Sequence, residues 1–270
     1  MRRVALKIGY IGTHYHGFQI QPDVPTIEGE LFRALKSLKL LEDERDAKYA
    51  RASRTDAGVH AISQVIAFNT PTPELALPRI INTKLPPEIW VWARADVQSD
   101  FHPRHHAISR EYEYYLYNEG YDVSSMEDCC RIITGTHDFS NFSEGWGNVR
   151  TLDRVDMWVE GEFVCFRFVA RSFLKGMVRK LVGALKLVGL GTRDEEWLCK
   201  MLKPEVFREG VEPAPAYGLV LKDISYNGVE WSLDEYAIKR IRKLIRHEHQ
   251  YYATMAKISR YFMQYRDFLP

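Results

Sequence analysis

The segment Ala52-Ser53-Arg54-Thr55-Asp56-Ala57-Gly58-Val59-His60-Ala61 concentrates chemistry in a few residues: a carboxylate, a guanidinium, a hydroxyl and an imidazole around one glycine. It follows an expected strand at Lys48 to Ala52, so a sharp turn would leave Asp56 pointing out of the framework. A guanidinium beside a carboxylate favours its charged form, and Arg54 is two residues from Asp56. An ionised carboxylate can act as nucleophile or general base. On residue type alone the commoner reading is plainer, a turn in which Asp56 ties its own backbone.

Two further segments carry reactive types. Tyr112 to Tyr117 alternates, with Tyr112, Tyr114 and Leu116 on one face and Glu113, Tyr115 and Tyr117 on the other. Nothing in the alternation itself singles out Tyr112. The stretch Ser172 to Val188 has helical period: Phe173, Met177, Leu181, Leu185 and Val188 form an apolar stripe. Ser172, Gly176, Arg179, Gly183 and Lys186 form a second face, where glycines would let a neighbouring backbone come close. Arg179 reads either as a site residue or as a solvated charge on a mixed face. His14, His16, His102, His105, His106, His247 and His249 invite a metal reading, but no Cys/His spacing fits a zinc site.

The elements that must position these residues are strands interleaved with amphipathic helices. Val4, Leu6, Ile8 and Tyr10 alternate as a half-buried strand. Thr26 caps a helix carrying Ile27, Leu31, Ala34, Leu35 and Leu38. Gln64 to Phe68 and Ile89 to Ala93 are strands. Val155 to Phe168 is a hairpin turning at Glu160-Gly161. Thr192 and Glu195 form a capping box for a short helix with Trp197, Leu198, Met201 and Leu202, and Pro213-Ala214-Pro215 leads into a strand at Gly218 to Leu221. The expected class is α+β: two similar halves, each a mostly antiparallel sheet covered by helices, joined around a central cleft. The boundaries fall at 1–106, 107–228 and 229–270. The last segment opens on a Ser232/Glu235 capping box. An apolar stripe through Ala237, Ile241, Leu244, Tyr252 and Met255 must be buried against something, and Lys239, Arg240, Arg242, Lys243 and Arg246 form a one-sided basic face.

Composition bounds the class. The 270 residues exceed the soft prior of about 150 per domain. At 46% hydrophobic, with 37 Lys+Arg against 36 Asp+Glu, the chain is neither disordered nor a globally basic nucleic-acid binder. If the partner is nucleic acid, positive charge must be sorted onto one face. No apolar run approaches the roughly 18 residues of a membrane span. Arg2 and Arg3 precede no signal-peptide pattern, and Cys129, Cys130, Cys165 and Cys199 lack a disulfide framework, so a cytoplasmic protein with reduced thiols is expected.

Ser53-Arg54-Thr55-Asp56-Ala57-Gly58-Val59-His60 resembles the signature of the TruA family of tRNA pseudouridine synthases, with Ser53 in place of the commoner Gly. The resemblance extends over residues 1 to about 225. Tyr10 to Gln19 is similar to the family's first strand and loop, with Phe18 where Trp is usual. Asn82 with Leu85-Pro86, Phe101-His102, Arg110-Glu111-Tyr112-Glu113-Tyr114, Gly135 to Phe142 and Met177-Val178-Arg179 also fit, while Lys175 and Gly176 stand where bacterial members often have two histidines. The chain thus looks like an archaeal-type member with an extra C-terminal helix.

The resemblance implies isomerisation of uridine to pseudouridine in the anticodon arm of tRNA, at positions 38 to 40, without metal or cofactor. It implies Asp56 as the catalytic residue, and Tyr112, Arg179, Arg54, Thr55 and His60 in substrate binding. The Arg54 guanidinium could fill the stack left by a flipped base or bind phosphate, or simply pair with Asp56. A homodimer holding one tRNA is implied. The basic face of residues 239–246 lies outside the matched core, and its one-sided charge instead suggests an accessory RNA or subunit contact. The alternative is a non-catalytic tRNA-binding protein on the same fold, with Tyr112 and Tyr114 as stacking platforms. A binder gains nothing from an unneutralised carboxylate among phosphate contacts. A small-substrate hydrolase would need a second well-placed acid.

Overall fold

The computed structural model describes residues 1–265. The first half contains β1 (Arg2–Tyr10), α1 (Ile27–Ser37), β2 (Ala50–Arg51), β3 (His60–Thr70), α2 (Pro78–Ile81) and β4 (Ile89–Asp96). The second contains β5 (Ala107–Tyr117), α3 (Val123–Ile133), β6 (Gly135–Asp138), β7 (Val149–Leu152), β8 (Arg154–Glu160), β9 (Phe163–Ala170), α4 (Met177–Gly189), α5 (Glu195–Met201) and β10 (Leu219–Tyr226). β11 (Ser232–Leu233) and α6 (Glu235–Gln264) follow.

The class is α+β as expected, but the strands form one sheet rather than one per half. Its order is β11-β4-β1-β3-β10-β5-β9-β8, with β2 also paired to β3, and β6 and β7 form a separate ribbon. All pairings in the large sheet are antiparallel except β3 with β10. That parallel pair is short, His60 opposite Val220 and Ala61 opposite Leu221. β10 comes from the end of the second half and inserts between β3 and β5, hydrogen-bonding to both. Neither half therefore presents an open edge at the junction.

The same edge of β3 is shared out along its length. β10 takes His60 and Ala61, while β2 takes Ile66 and Ala67. The chain leaving β2 toward Asp56 is thus framed by two fixed strand ends. A single large apolar cluster spans both halves, drawing in Leu31 and Leu35 of α1 and Leu181 and Leu185 of α4.

Some local expectations shift. β1 is buried from Arg3 to Tyr10 and does not alternate with solvent. The polar Lys7 is covered because its Nζ pairs with Asp223 at 2.7 Å and lies 5.3 Å from the rings of both Trp92 and Trp231. Thr26 does cap α1, accepting from the Gly29 amide at 3.2 Å. At α5 the cap is Asp194, accepting from the Trp197 amide at 2.7 Å, while Thr192 donates to the Leu187 carbonyl. At α6 it is Asp234, accepting from Ala237, because Ser232 is already paired in β11. In both places the carboxylate reaches the free amides and complements the positive end of the helix.

Asp234 also binds Arg79 at 2.8 Å, and Ala237 is buried, so the first turn of α6 is fixed to the body. The stripe expected to be buried is not buried within this chain. Ile241 and Leu244 are partly covered, but Tyr252 and Met255 are 51% and 41% exposed. Farther along, Arg260 pairs with Glu162 in the β8–β9 turn. Residues 266–270 of the 229–270 segment lie outside the described residues. No helix among the described residues is long and apolar enough to cross a membrane.

Candidate active site

The β2–β3 loop is pinned on two flanks. Gln64, fully buried on β3, accepts from the Ser53 amide at 3.1 Å and donates to the Ser53 carbonyl at 2.9 Å. The loop after β1 lies against the other flank, where Phe18 donates to the Thr55 carbonyl at 3.0 Å. A Cβ on Gly12 would fall 2.0 Å from the Val59 carbonyl oxygen, so a side chain there would push the two loops apart. Gly58 turns the chain at φ +79, a conformation that only glycine adopts without strain.

Held this way, Asp56 faces a cleft of about 1610 Å³ lined by residues of both halves. Arg179, from α4, places Nη1 3.4 Å from Asp56 Oδ2 and donates through Nε to the Ala214 carbonyl at 2.8 Å. The two side chains are 28% and 19% exposed, open to a ligand yet shielded from bulk water. Asp56 therefore has its cationic partner in Arg179. The nearer neighbour in sequence, Arg54, is exposed and contacts Gln19 at 3.3 Å.

Tyr112 forms the inner wall. Its ring meets Phe173 edge-on at 5.1 Å and its hydroxyl shares a 2.9 Å hydrogen bond with Ser53. Burial raises the Tyr112 hydroxyl above the ordinary tyrosine range, with the Ser53 bond acting against that rise, so it stays protonated.

Of the other signature residues expected in substrate binding, Thr55 lines the cleft but turns its hydroxyl inward, and His60 lies outside it. The Thr55 hydroxyl is turned inward to Tyr10 at 2.8 Å. His60 has both ring nitrogens engaged: Nδ1 accepts from the Gly12 amide at 3.1 Å, which leaves Nε2 as the donor to the Tyr217 carbonyl at 3.1 Å. His60 does not line the cleft. Burial lowers its pKa, which suits a neutral ring bridging two loops.

Of the two glycines expected to permit close approach, Gly183 does so. A Cβ there would sit 2.2 Å from the Glu212 carbonyl oxygen, and the 211–215 segment lies along α4. Gly176 has open space beside it and instead supplies the left-handed turn before α4, at φ +70.

Arg110 has a place that the sequence motif did not reveal. It is 6% exposed, has no carboxylate partner among the described residues, and donates to three carbonyls: Ala52 at 3.0 Å, Arg104 at 3.0 Å, and Arg171. One guanidinium thereby ties together three of the loops that wall the cleft. The available signal was strand alternation, which puts Arg110 on the buried face of β5 with Tyr112 and Tyr114. A buried arginine facing no acid must take carbonyls.

Eight arginines and lysines line the cleft against three carboxylates, in a chain of net charge +1. The lining around Asp56 is therefore net positive. Lys239, Arg240, Arg242, Lys243 and Arg246 are exposed on α6 and lie outside this cleft.

A family model described as tRNA pseudouridine synthase matches residues 130–227. A tRNA pseudouridine synthase A of Methanosarcina mazei is 53% identical over 242 residues, covering 88% of this chain and 90% of the relative. One of Methanococcoides burtonii is 51% identical over 261 residues, covering 95% and 94%. Among solved structures, a chain of the archaeal box H/ACA sRNP Nop10-Cbf5 complex superposes with a TM-score of 0.35 at 12% identity, covering 68% of this chain and 43% of that one.

Proposed function

Since this chain belongs to the tRNA pseudouridine synthase A family, an isomerase family that converts uridine of tRNA to pseudouridine, we propose that Asp56 is its catalytic residue and that its substrates are uridines 38 to 40 of the anticodon arm. The observation that carries this reading is the ion pair of Asp56 with Arg179 inside a cationic cleft.

Isomerisation requires that the bond from the ribose C1′ to N1 of the base breaks, that uracil turns, and that C5 is joined to C1′. The C5 hydrogen then leaves and N1 takes up a proton, so atoms balance without a cofactor. A target stacked in an RNA stem must first be extruded, which costs a few kcal/mol of unstacking. The detached base must be kept from diffusing away, and a partly dry pocket does this. Attack on ribose, attack on the base and abstraction of a sugar proton all need an ionised carboxylate facing the extruded nucleotide. Asp56 with Arg179 supplies that carboxylate. The Tyr112 ring can stack on the flipped base, and its protonated hydroxyl can take part in a late proton transfer. Arg54, exposed at the mouth, fills the vacated stack or holds a phosphate. Thr55 and His60 serve substrate binding indirectly, by fixing the loop that presents Asp56.

The enzyme works as a cytoplasmic homodimer around one tRNA, and light scattering giving the mass of one chain at working concentration would exclude the dimer. The decisive test is to map pseudouridine in a tRNA transcript after treatment with purified protein. Wild type should modify positions 38 to 40, while Asp56→Asn should bind tRNA and make no pseudouridine. Turnover by Asp56→Asn would overturn the assignment.

A further inference from the structure

Beside the main cleft lies a second, smaller cavity of about 390 Å³, lined by Val149, Arg150, Thr151, Asp153, Arg171 and Ser172. Arg171 and Ser172 line both cavities, so the smaller one continues the cleft outward past the wall that Arg110 fastens. We propose that this notch is a binding site for one phosphodiester of the tRNA backbone, held between Arg150 and Arg171.

The arginines are unusually placed. Arg150 donates through Nη1 to its neighbouring Val149 carbonyl at 2.7 Å, but its Nε is buried and meets no acceptor. A buried N–H without a partner is costly, and a ligand acceptor would relieve the cost. Arg171 has its carbonyl held by Arg110, while its exposed side chain has no hydrogen bond or ion pair among the described residues, and neither has the Ser172 hydroxyl. Asp153 also lines the notch, yet it pairs with neither arginine. The Arg171 guanidinium is therefore uncommitted and Arg150 has its Nε unpaired, and such planar forks match phosphate oxygens. RNA supplies the anion of the right chemistry, because a strand leaving the cleft carries a phosphate at every nucleotide. The proposal rests on the reading that the cleft takes a nucleotide of tRNA.

The test uses whole protein and a tRNA transcript. Binding is measured across a salt series for wild type, Arg150→Gln, Arg150→Lys and Asp153→Asn, with phosphate-ethylation interference on the same complexes. Arg150→Gln should raise the dissociation constant about 5- to 10-fold and flatten the salt slope by about 0.7 to 0.9, the change expected when one phosphate is no longer neutralised. Arg150→Lys should recover most of that affinity. Asp153→Asn should act in the opposite direction and tighten binding by about 2- to 5-fold, because it removes a like charge from the site. One phosphate whose ethylation weakens wild-type binding should become indifferent in Arg150→Gln, a readout that a merely structural role would not move. Unchanged affinity, slope and ethylation pattern in a folded Arg150→Gln would overturn the proposal. Should that variant not fold, weaker or equal binding by Asp153→Asn would overturn it instead. Wild type that binds tRNA but forms no pseudouridine would count against the reading of the cleft and not against the notch.

Discussion

Arg179 reaches Asp56 across 123 positions of sequence, with Nη1 3.4 Å from Oδ2 while Nε stays fixed on Ala214. The Arg179 carbonyl also accepts from the Ala214 amide at 2.9 Å, so side chain and backbone are anchored to the same residue. The guanidinium is positioned before substrate arrives and keeps the N–H groups of both Nη nitrogens for the acid and whatever the acid acts on. A lysine at this point could satisfy the carbonyl or the carboxylate but not both in this geometry. Arg179→Lys should therefore fold and bind tRNA, with kcat for pseudouridine formation lowered about 10²- to 10³-fold. A single-turnover assay with tRNA above KM reads this directly, and near-normal kcat would dismiss the pairing as incidental.

Tyr112 separates stacking from proton transfer. Tyr112→Phe keeps the ring and its edge contact with Phe173 but removes the hydroxyl held by Ser53. It should leave the tRNA dissociation constant almost unchanged while slowing product formation about 10²-fold, within the range of general acid–base steps. Ser53→Ala should lose far less, since the hydroxyl itself remains. Full activity in Tyr112→Phe would restrict the residue to stacking.

His60 predicts how stability depends on pH. Burial lowers its pKa in the folded state from 6.5, so between the two values the unfolded chain binds more protons than the folded one. Its contribution is complete above the unfolded value and is lost as pH falls through the folded value. The thermal midpoint should therefore drop below pH 6.5. His60→Gln should be less stable than wild type at pH 8 and should show a shallower acid decline. Parallel melting curves from pH 5 to 8 would exclude the bridge between Gly12 and Tyr217 as the cause.

On α6, the basic face is solvent-exposed and clear of the cleft. Reversing Arg242, Lys243 and Arg246 to Glu should raise the tRNA dissociation constant and lower the salt slope by about one unit for each phosphate left without its cation. Unchanged affinity and slope would make the face an ordinary solvated surface.

Residue type and spacing alone do not single out Asp56, Tyr112 or Arg179; the family resemblance does, and the fold brings these three, far apart in sequence, to the lining of one cleft. What could not be read depends on distant partners. Lys7 looks like a solvent-facing position until Trp92, Asp223 and Trp231 close over it. Two capping boxes fitted by spacing, but Asp194 and Asp234 stood closer to the free amides. The insertion of β10 next to β3 has no local signature, because strand order is set by which edges remain open. His60 sits inside the signature segment, and only its neighbours in space show that its nitrogens are already occupied.

The two-residue seam between β3 and β10 governs when in its life the chain can work. During synthesis the strands around Asp56 emerge well before β10, which spans Leu219–Tyr226. Until then β3 carries an unpaired edge at His60 and Ala61, an invitation to mispairing. His60 also lacks the carbonyl of Tyr217, and Arg179 lacks that of Ala214. Pairings between residues so far apart form slowly, because a long loop must close first. A nascent or truncated chain can hold Asp56, Tyr112 and Arg179 and still lack the cleft that joins them, so the cleft reports completion of the sheet.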